Sequence, residues 1–107
     1  MSFYQFEKKM DIDEGVRAFR RNTTGAVLLD VRTESEFASG YIPGAINVPL
    51  QEIEEVIECV PGKNTLLYVY CRSGVRSAQA VEALRYMGYG NVVDIGGIIH
   101  YQGELVK

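Results

Sequence analysis

Three short runs of apolar, β-branched and aromatic residues, at 26–31, 65–70 and 91–95, constrain the fold of this chain more than any other feature. Each is bounded by turn signals and is too short for a core helix. An unbroken run such as Ala26-Val27-Leu28-Leu29-Asp30-Val31 fits a strand covered on both faces. Segments of helical period lie between the runs. Strands separated by helices predict an α/β domain with a mostly parallel central sheet flanked by helices on both faces.

A first helix is expected from Asp11, where Asp11 and Glu14 have capping-box spacing and Ile12, Val16 and Phe19 recur on one face. Arg17, Arg20 and Arg21 fall on its wet side and toward its C-terminal end, where positive charge is favourable. Residues 33–39 read as a short helix capped by Thr33 with Glu36 three residues on, and 45–48 as a short strand. Residues 51–60 give the clearest amphipathic pattern, with Ile53, Val56, Ile57 and Val60 inward. Glu52, Glu54, Glu55 and Glu58 then form a solvated face rather than a catalytic carboxylate pair. A helix over 77–87 turns Ala80, Val81, Leu84 and Met87 inward, and Tyr68, Tyr70, Tyr86 and Tyr89 are expected to pack around it and the strand before it. Residues 1–10, with alternating aromatics at Tyr4 and Phe6, read as an extension to a single domain over 11–107.

Composition removes several function classes. The net charge of −3 argues against a protein that grips a phosphate backbone. Apolar runs fall far short of the ~20 residues that cross a bilayer. The first residues lack the basic and apolar regions of a secretory leader, so a cytoplasmic location is expected. Two cysteines and one histidine, His100, are too few for a disulfide scaffold, a structural zinc site or a paired-histidine mechanism. His100 itself reads as a surface residue.

The chemistry concentrates in Cys71-Arg72-Ser73-Gly74-Val75-Arg76-Ser77, a loop between a buried strand and a helix. In open α/β sheets, ligands bind at the carboxyl ends of strands. A short loop opening a helix aims backbone N–H groups at one point and forms an anion-binding nest. Gly74 permits the tight curvature, Arg72 and Arg76 add positive charge, and the seven residues contain no acid. All of this favours the thiolate of Cys71. The loop reads as an anion-binding surface, from Arg72 through Ser73, Gly74, Val75 and Arg76 to Ser77, around one nucleophile. Cys59, among glutamates with no cation nearby in sequence, reads as structural or incidental.

This loop resembles the active-site loop of the rhodanese family, the single-domain sulfurtransferases. Other blocks agree with the resemblance in order and spacing: Asp30-Val31-Arg32 followed by Glu36-Phe37, then the segment from Gly40-Tyr41-Ile42-Pro43-Gly44 to Ala45-Ile46-Asn47-Val48-Pro49, then Ile95-Gly96-Gly97. Tyr41 stands where the family usually has histidine, and Tyr101 near a common tryptophan; neither position supplies the nucleophile. In the family, Asp30 and Arg32 would lie near the active-site loop in a supporting role. An ion pair or cap, with Arg32 facing Glu36 at i, i+4 spacing, is the structural reading of the same residues.

The resemblance implies transfer of a sulfane sulfur from thiosulfate or a persulfide donor to a thiol or cyanide, through a persulfide on Cys71. No metal or organic cofactor is expected, and a protein sulfur acceptor is a further expected partner. Two other readings share the loop. One is a sulfur-carrier or adaptor module serving a partner protein. The other is a phosphatase or arsenate reductase of related fold, in which five residues rather than four separate the corresponding cysteine and arginine.

Overall fold

The computed structural model describes residues 9–107, so the Tyr4 and Phe6 alternation and most of the expected extension lie outside the described residues. Four parallel strands, β1 (Val27–Asp30), β2 (Ile46–Asn47), β3 (Leu67–Cys71) and β4 (Val92–Gly97), form one sheet in the order β2-β1-β3-β4. The helices are α1 (Ile12–Arg21), α2 (Glu34–Ala38), α3 (Val56–Cys59) and α4 (Val75–Tyr86). Among the described residues, no helix is long and apolar enough to cross a membrane.

Period-two alternation along the strands builds two cores. Leu28, Tyr68, Tyr70, Val93 and Ile95 pack with Ile12 and Val16 of α1. Leu29, Val69, Cys71 and Val92 pack with Ala80, Val81 and Leu84 of α4 and with Val56 and Val60. Both central strands are therefore sealed on both sides, as their unbroken apolar runs require. The chain leaves β1 toward β2 on one side and β3 toward β4 on the other. The carboxyl ends of β1 and β3 thus flank the topological switch point, the usual ligand crevice of an open α/β sheet.

The helix starts behave as their side chains dictate. Asp11 accepts the Glu14 N–H at 2.9 Å, and Thr33 with Glu36 forms a complete capping box. Residues 51–60 differ from expectation: Leu50–Glu55 is two short 3-10 turns that meet at a kink at Glu52, and only Val56–Cys59 is α-helical. Leu50, Ile53 and Val56 are spaced by three, and all three pack on the core beneath α4 despite the kink. Val60 then follows Val56 at α spacing, and Ile57 is left 45% exposed. Tyr68, Tyr70 and Tyr89 are buried as expected, but Tyr86 is 94% exposed on the outer side of α4.

The end of β1 is held by a buried ion pair. Arg32 Nη2 donates to Asp30 Oδ2 at 2.6 Å and to the Gly40 carbonyl oxygen at 2.8 Å, while its Nε donates to the carboxylate at 3.0 Å. The guanidinium lies 5.8 Å from the centre of the Tyr70 ring. Asn47 on β2 donates its two amide hydrogens to the carbonyl oxygens of Asp30 and Arg32, each at 2.9 Å. The expected Arg32–Glu36 contact is not made. A two-residue step lets Arg32 fold back on Asp30, which also accepts the Arg32 backbone N–H at 2.9 Å.

Arg32→Ala should strand the Asp30 charge in the interior and cost about 3–5 kcal/mol, a large share of the ~5–15 kcal/mol margin of a small domain. Urea denaturation should show Asp30→Asn/Arg32→Met to be less damaging than Arg32→Ala alone, because the double change leaves no buried unpaired charge.

Candidate active site

Cys71 is the last residue of β3 and is 1% exposed, paired across the sheet with Gly97. β4 reaches that pairing through a bulge. Val69 pairs with Asp94 and Tyr70 with Gly96, which leaves Ile95 as the extra residue. Asp94 holds the bulge in place: its Oδ1 accepts the Gly96 N–H at 3.0 Å and the Ser77 hydroxyl at 2.9 Å. The same hydroxyl lies 3.1 Å from the Gly74 carbonyl oxygen, so its one proton is shared between two acceptors. One buried carboxylate therefore fastens the strand end to the first turn of α4.

The loop from Cys71 to Arg76 rests on this strand end. A Cβ at Gly97 would overlap the Arg72 carbonyl oxygen and lie 2.7 Å from Ser73 Cα, so only glycine lets the two backbones approach this closely. The Ile99 N–H donates to the same Arg72 carbonyl oxygen at 3.1 Å. Gly74, at φ 107°, turns the chain into α4 and donates its N–H to Cys71 Sγ at 3.0 Å. The sulfur thus sits beside the positive end of a twelve-residue helix.

The expected site residues divide into four settings. Arg72, Ser73 and Val75 are exposed at the mouth of the loop. Ser77 is buried, with its hydroxyl committed to Asp94 and Gly74, so its side chain braces the loop rather than offering a donor to a bound anion. Arg76 is not a free cation: its guanidinium donates to the two Glu36 carboxylate oxygens at 2.7 and 3.0 Å. Those bonds, more than the nearby charges of Cys71 and Asp30, raise the pKa of Arg76. They also hold the Glu36 carboxyl at about 2, below its ordinary value of 4.5. Asp30 and Arg32 lie at the end of the neighbouring strand, where Asp30 pairs in register with Tyr70, the residue before the cysteine.

Two groups that shape the site carry no site role in the sequence reading. Glu36 is legible there only as a cap and as part of a family block; its pairing with Arg76 spans 40 positions. Asp94 announces itself as a lone carboxylate inside Val92-Val93-Asp94-Ile95, a buried strand where an acid needs donors. Of the residues noted at the margins, Tyr41 stacks on Phe37 with ring centres 4.1 Å apart and bridges Val106, and the Tyr101 hydroxyl accepts from Arg20 at 3.3 Å. Cys59 and His100 are exposed. Among the described residues, no three His, Cys, Asp or Glu side chains gather to hold a metal.

The Rhodanese-like domain family model matches residues 14–102. Thiosulfate sulfurtransferase PspE of Escherichia coli (strain K12) is 42% identical over 71 residues, which cover 65% of this chain and 68% of that protein. Thiosulfate:glutathione sulfurtransferase of Homo sapiens is 33% identical over 85 residues, covering 67% of this chain and 74% of that protein. A solved structure described as rhodanese with anions from E. coli superposes with a TM-score of 0.72 at 38% identity, covering 78% of this chain and 99% of that one.

Gly97→Ala should displace the loop and change the rate at which iodoacetamide alkylates Cys71. Gly90→Ala, where a Cβ meets nothing within 4 Å, should leave that rate alone. A second outcome concerns pH. Because the carboxyl of Glu36 is depressed from 4.5 to about 2 in the folded protein, its contribution is fully present above the higher value and is lost as pH falls through the lower. The urea midpoints of wild type and Glu36→Gln should therefore differ most above pH ~5 and converge toward pH ~2. Both partners are about a third exposed, so the separation should be modest.

Proposed function

The chain belongs to the rhodanese-like domain family, and on that premise we propose that it is a sulfurtransferase working through a persulfide on Cys71. The observation that carries this reading is the Gly74 N–H on Cys71 Sγ at the start of α4, at the carboxyl end of a central strand. The sulfurtransferases among its relatives support the class of reaction. Four residues between Cys71 and Arg76 favour a persulfide over the tetrahedral phosphate of a longer loop.

In the first half-reaction the Cys71 thiolate attacks the outer sulfur of thiosulfate. A Cys71 S–S bond forms, the S–S bond of thiosulfate breaks, and sulfite leaves with the electron pair. The terminal sulfur of the persulfide carries the negative charge, next to the Gly74 N–H and the α4 N-terminus. In the second half-reaction a thiolate or cyanide attacks that sulfur and the Cys71 thiolate departs, closing a ping-pong cycle. Arg72, exposed and unconstrained by the Glu36 pair, is the cation that meets the sulfonate end of the donor. Arg76 acts at one remove by keeping α4 and α2 together at the loop.

Intact mass spectrometry after thiosulfate treatment should show the gain of one sulfur atom in wild type and in Cys59→Ser, and none in Cys71→Ser. Sulfur gain or turnover in a folded Cys71→Ser protein would sink the proposal. Arg72→Ala should raise KM for thiosulfate about ten-fold, a loss of ~1.4 kcal/mol, with far less effect on a small neutral persulfide donor. Arg76→Ala, and Glu36→Gln in parallel, should instead lower kcat with both donors. A thiosulfate-only KM effect in Arg76→Ala would place that guanidinium on the substrate.

A further inference from the structure

One face of α4 is unaccounted for by the catalytic reading. Val75, Gln79, Glu82 and Tyr86 recur at i, i+4, i+7 and i+11, which places them in a single stripe along the helix. The stripe begins beside Gly74 at the mouth of the loop and runs about 16 Å to Tyr86. Val75 is 68% exposed and Tyr86 94% exposed, at the two ends of this stripe. Alongside runs the Leu50–Glu55 segment, and between the two lies a mainly apolar groove walled by Ile53, Met87 and Tyr86, with Glu54, Gln79 and Glu82 at its sides.

The charged side chains that line this groove are both acidic. Glu54 and Glu82 line it, and Glu52, Glu55 and Glu58 stand exposed on the same connecting segment. Three cations of adjoining stretches each have a partner, and Arg76 has its charge matched by an acid. Lys63 donates to the Met87 carbonyl oxygen, Arg85 to that of Val92, and Arg76 is bound to Glu36. An exposed tyrosine over an apolar floor, rimmed by acids, is complementary to an apolar side chain flanked by lysine or arginine.

We propose that this face docks a protein partner whose contact segment carries lysine or arginine around an apolar anchor, and that docking brings the partner's thiol to the Cys71 loop. The identity of the cargo rests on the sulfur-transfer reading above; the docking surface does not. The acidic groove and the Arg72 side of the loop would then sort acceptors by size and charge. Small anionic donors meet only the loop, whereas a protein acceptor spans both.

The test uses two synthetic peptides of equal length, one alternating lysine and leucine and one alternating glutamate and leucine, each made with a terminal serine or a terminal cysteine. Fluorescence anisotropy with the serine peptides and wild-type protein should show binding of the lysine form alone, weakening as salt is raised. Tyr86→Ala and the pair Glu54→Gln/Glu82→Gln should each weaken it about ten-fold. Both changes are on the surface, and unchanged thermal melts would confirm intact folds. With the cysteine peptides, sulfur transfer from persulfidated protein to the lysine form should slow in Tyr86→Ala, while transfer to 2-mercaptoethanol stays at the wild-type rate. No binding of the lysine peptide, equal binding of the two peptides, or binding indifferent to these substitutions would overturn the docking surface. Intact binding without any persulfide would instead remove the sulfur-transfer reading and leave the surface standing.

Discussion

The Asp30–Arg32 pair is the constraint on which the rest of this structure leans. A carboxylate at the end of β1 is fully buried, and its desolvation is offset by the Arg32 fork, which covers both oxygens, and by the Arg32 N–H. The Nη2 that meets the carboxylate also donates to the Gly40 carbonyl oxygen, just beyond α2, and Asn47 ties β2 to the same backbone. Tyr70 completes the cluster from β3, accepting the Ile42 N–H at 3.2 Å, and burial pushes its phenol pKa up. Three strand ends and both ends of the α2 segment are thereby fixed to one polar centre. α2 in turn presents Glu36 to Arg76, so the electrostatics of the Cys71 loop inherit their geometry from an ion pair that does not itself touch the sulfur.

Two carboxylates hold the loop from opposite sides. Glu36 takes hold of α4 through Arg76, and Asp94 takes hold of it through Ser77. This arrangement separates two jobs that the sequence presents together. Both loop arginines look like anion ligands when only seven residues are in view, yet one is spent on architecture and one is left at the surface. A loop with two unpaired guanidinium groups would carry more charge but less definition. Fixing one of them preorganises the backbone that faces the sulfur.

Much of the fold was legible because its signals are local. The buried runs around Leu28 and Val69, the cap at Thr33 and the strand-to-helix step at Cys71 depend on neighbours a few positions away. What escaped the sequence has a common cause, too. The 51–60 segment satisfies helical period on paper, but its Leu50-Ile53-Val56 spacing suits a 3-10 turn as well, and the packing surface decides between them. Tyr86 was expected to pack inward because aromatic residues usually do, whereas α4 already buries Ala80, Val81 and Leu84 on its inner side. The Arg76–Glu36 and Ser77–Asp94 pairs join residues brought together only by the sheet order, which no spacing rule contains.

The bulge at Ile95 has a consequence best put as parity. Along a strand, odd and even positions belong to opposite faces, and β4 obeys this with Val92 on the α4 side and Val93 on the α1 side. One surplus residue reverses the count from that point on. Gly97 is thereby matched to Cys71, on the side where the loop backbone descends, and the Gly96 N–H donates to the Asp94 carboxylate. Odd and even changes of length near Ile95 are therefore not equivalent. Removing one residue exchanges the faces of everything beyond it, while a change of two keeps the faces but moves the strand end along the sheet. Loops elsewhere in such a domain can drift in length by single steps; this stretch of β4 can do so only by rebuilding the platform beneath the cysteine.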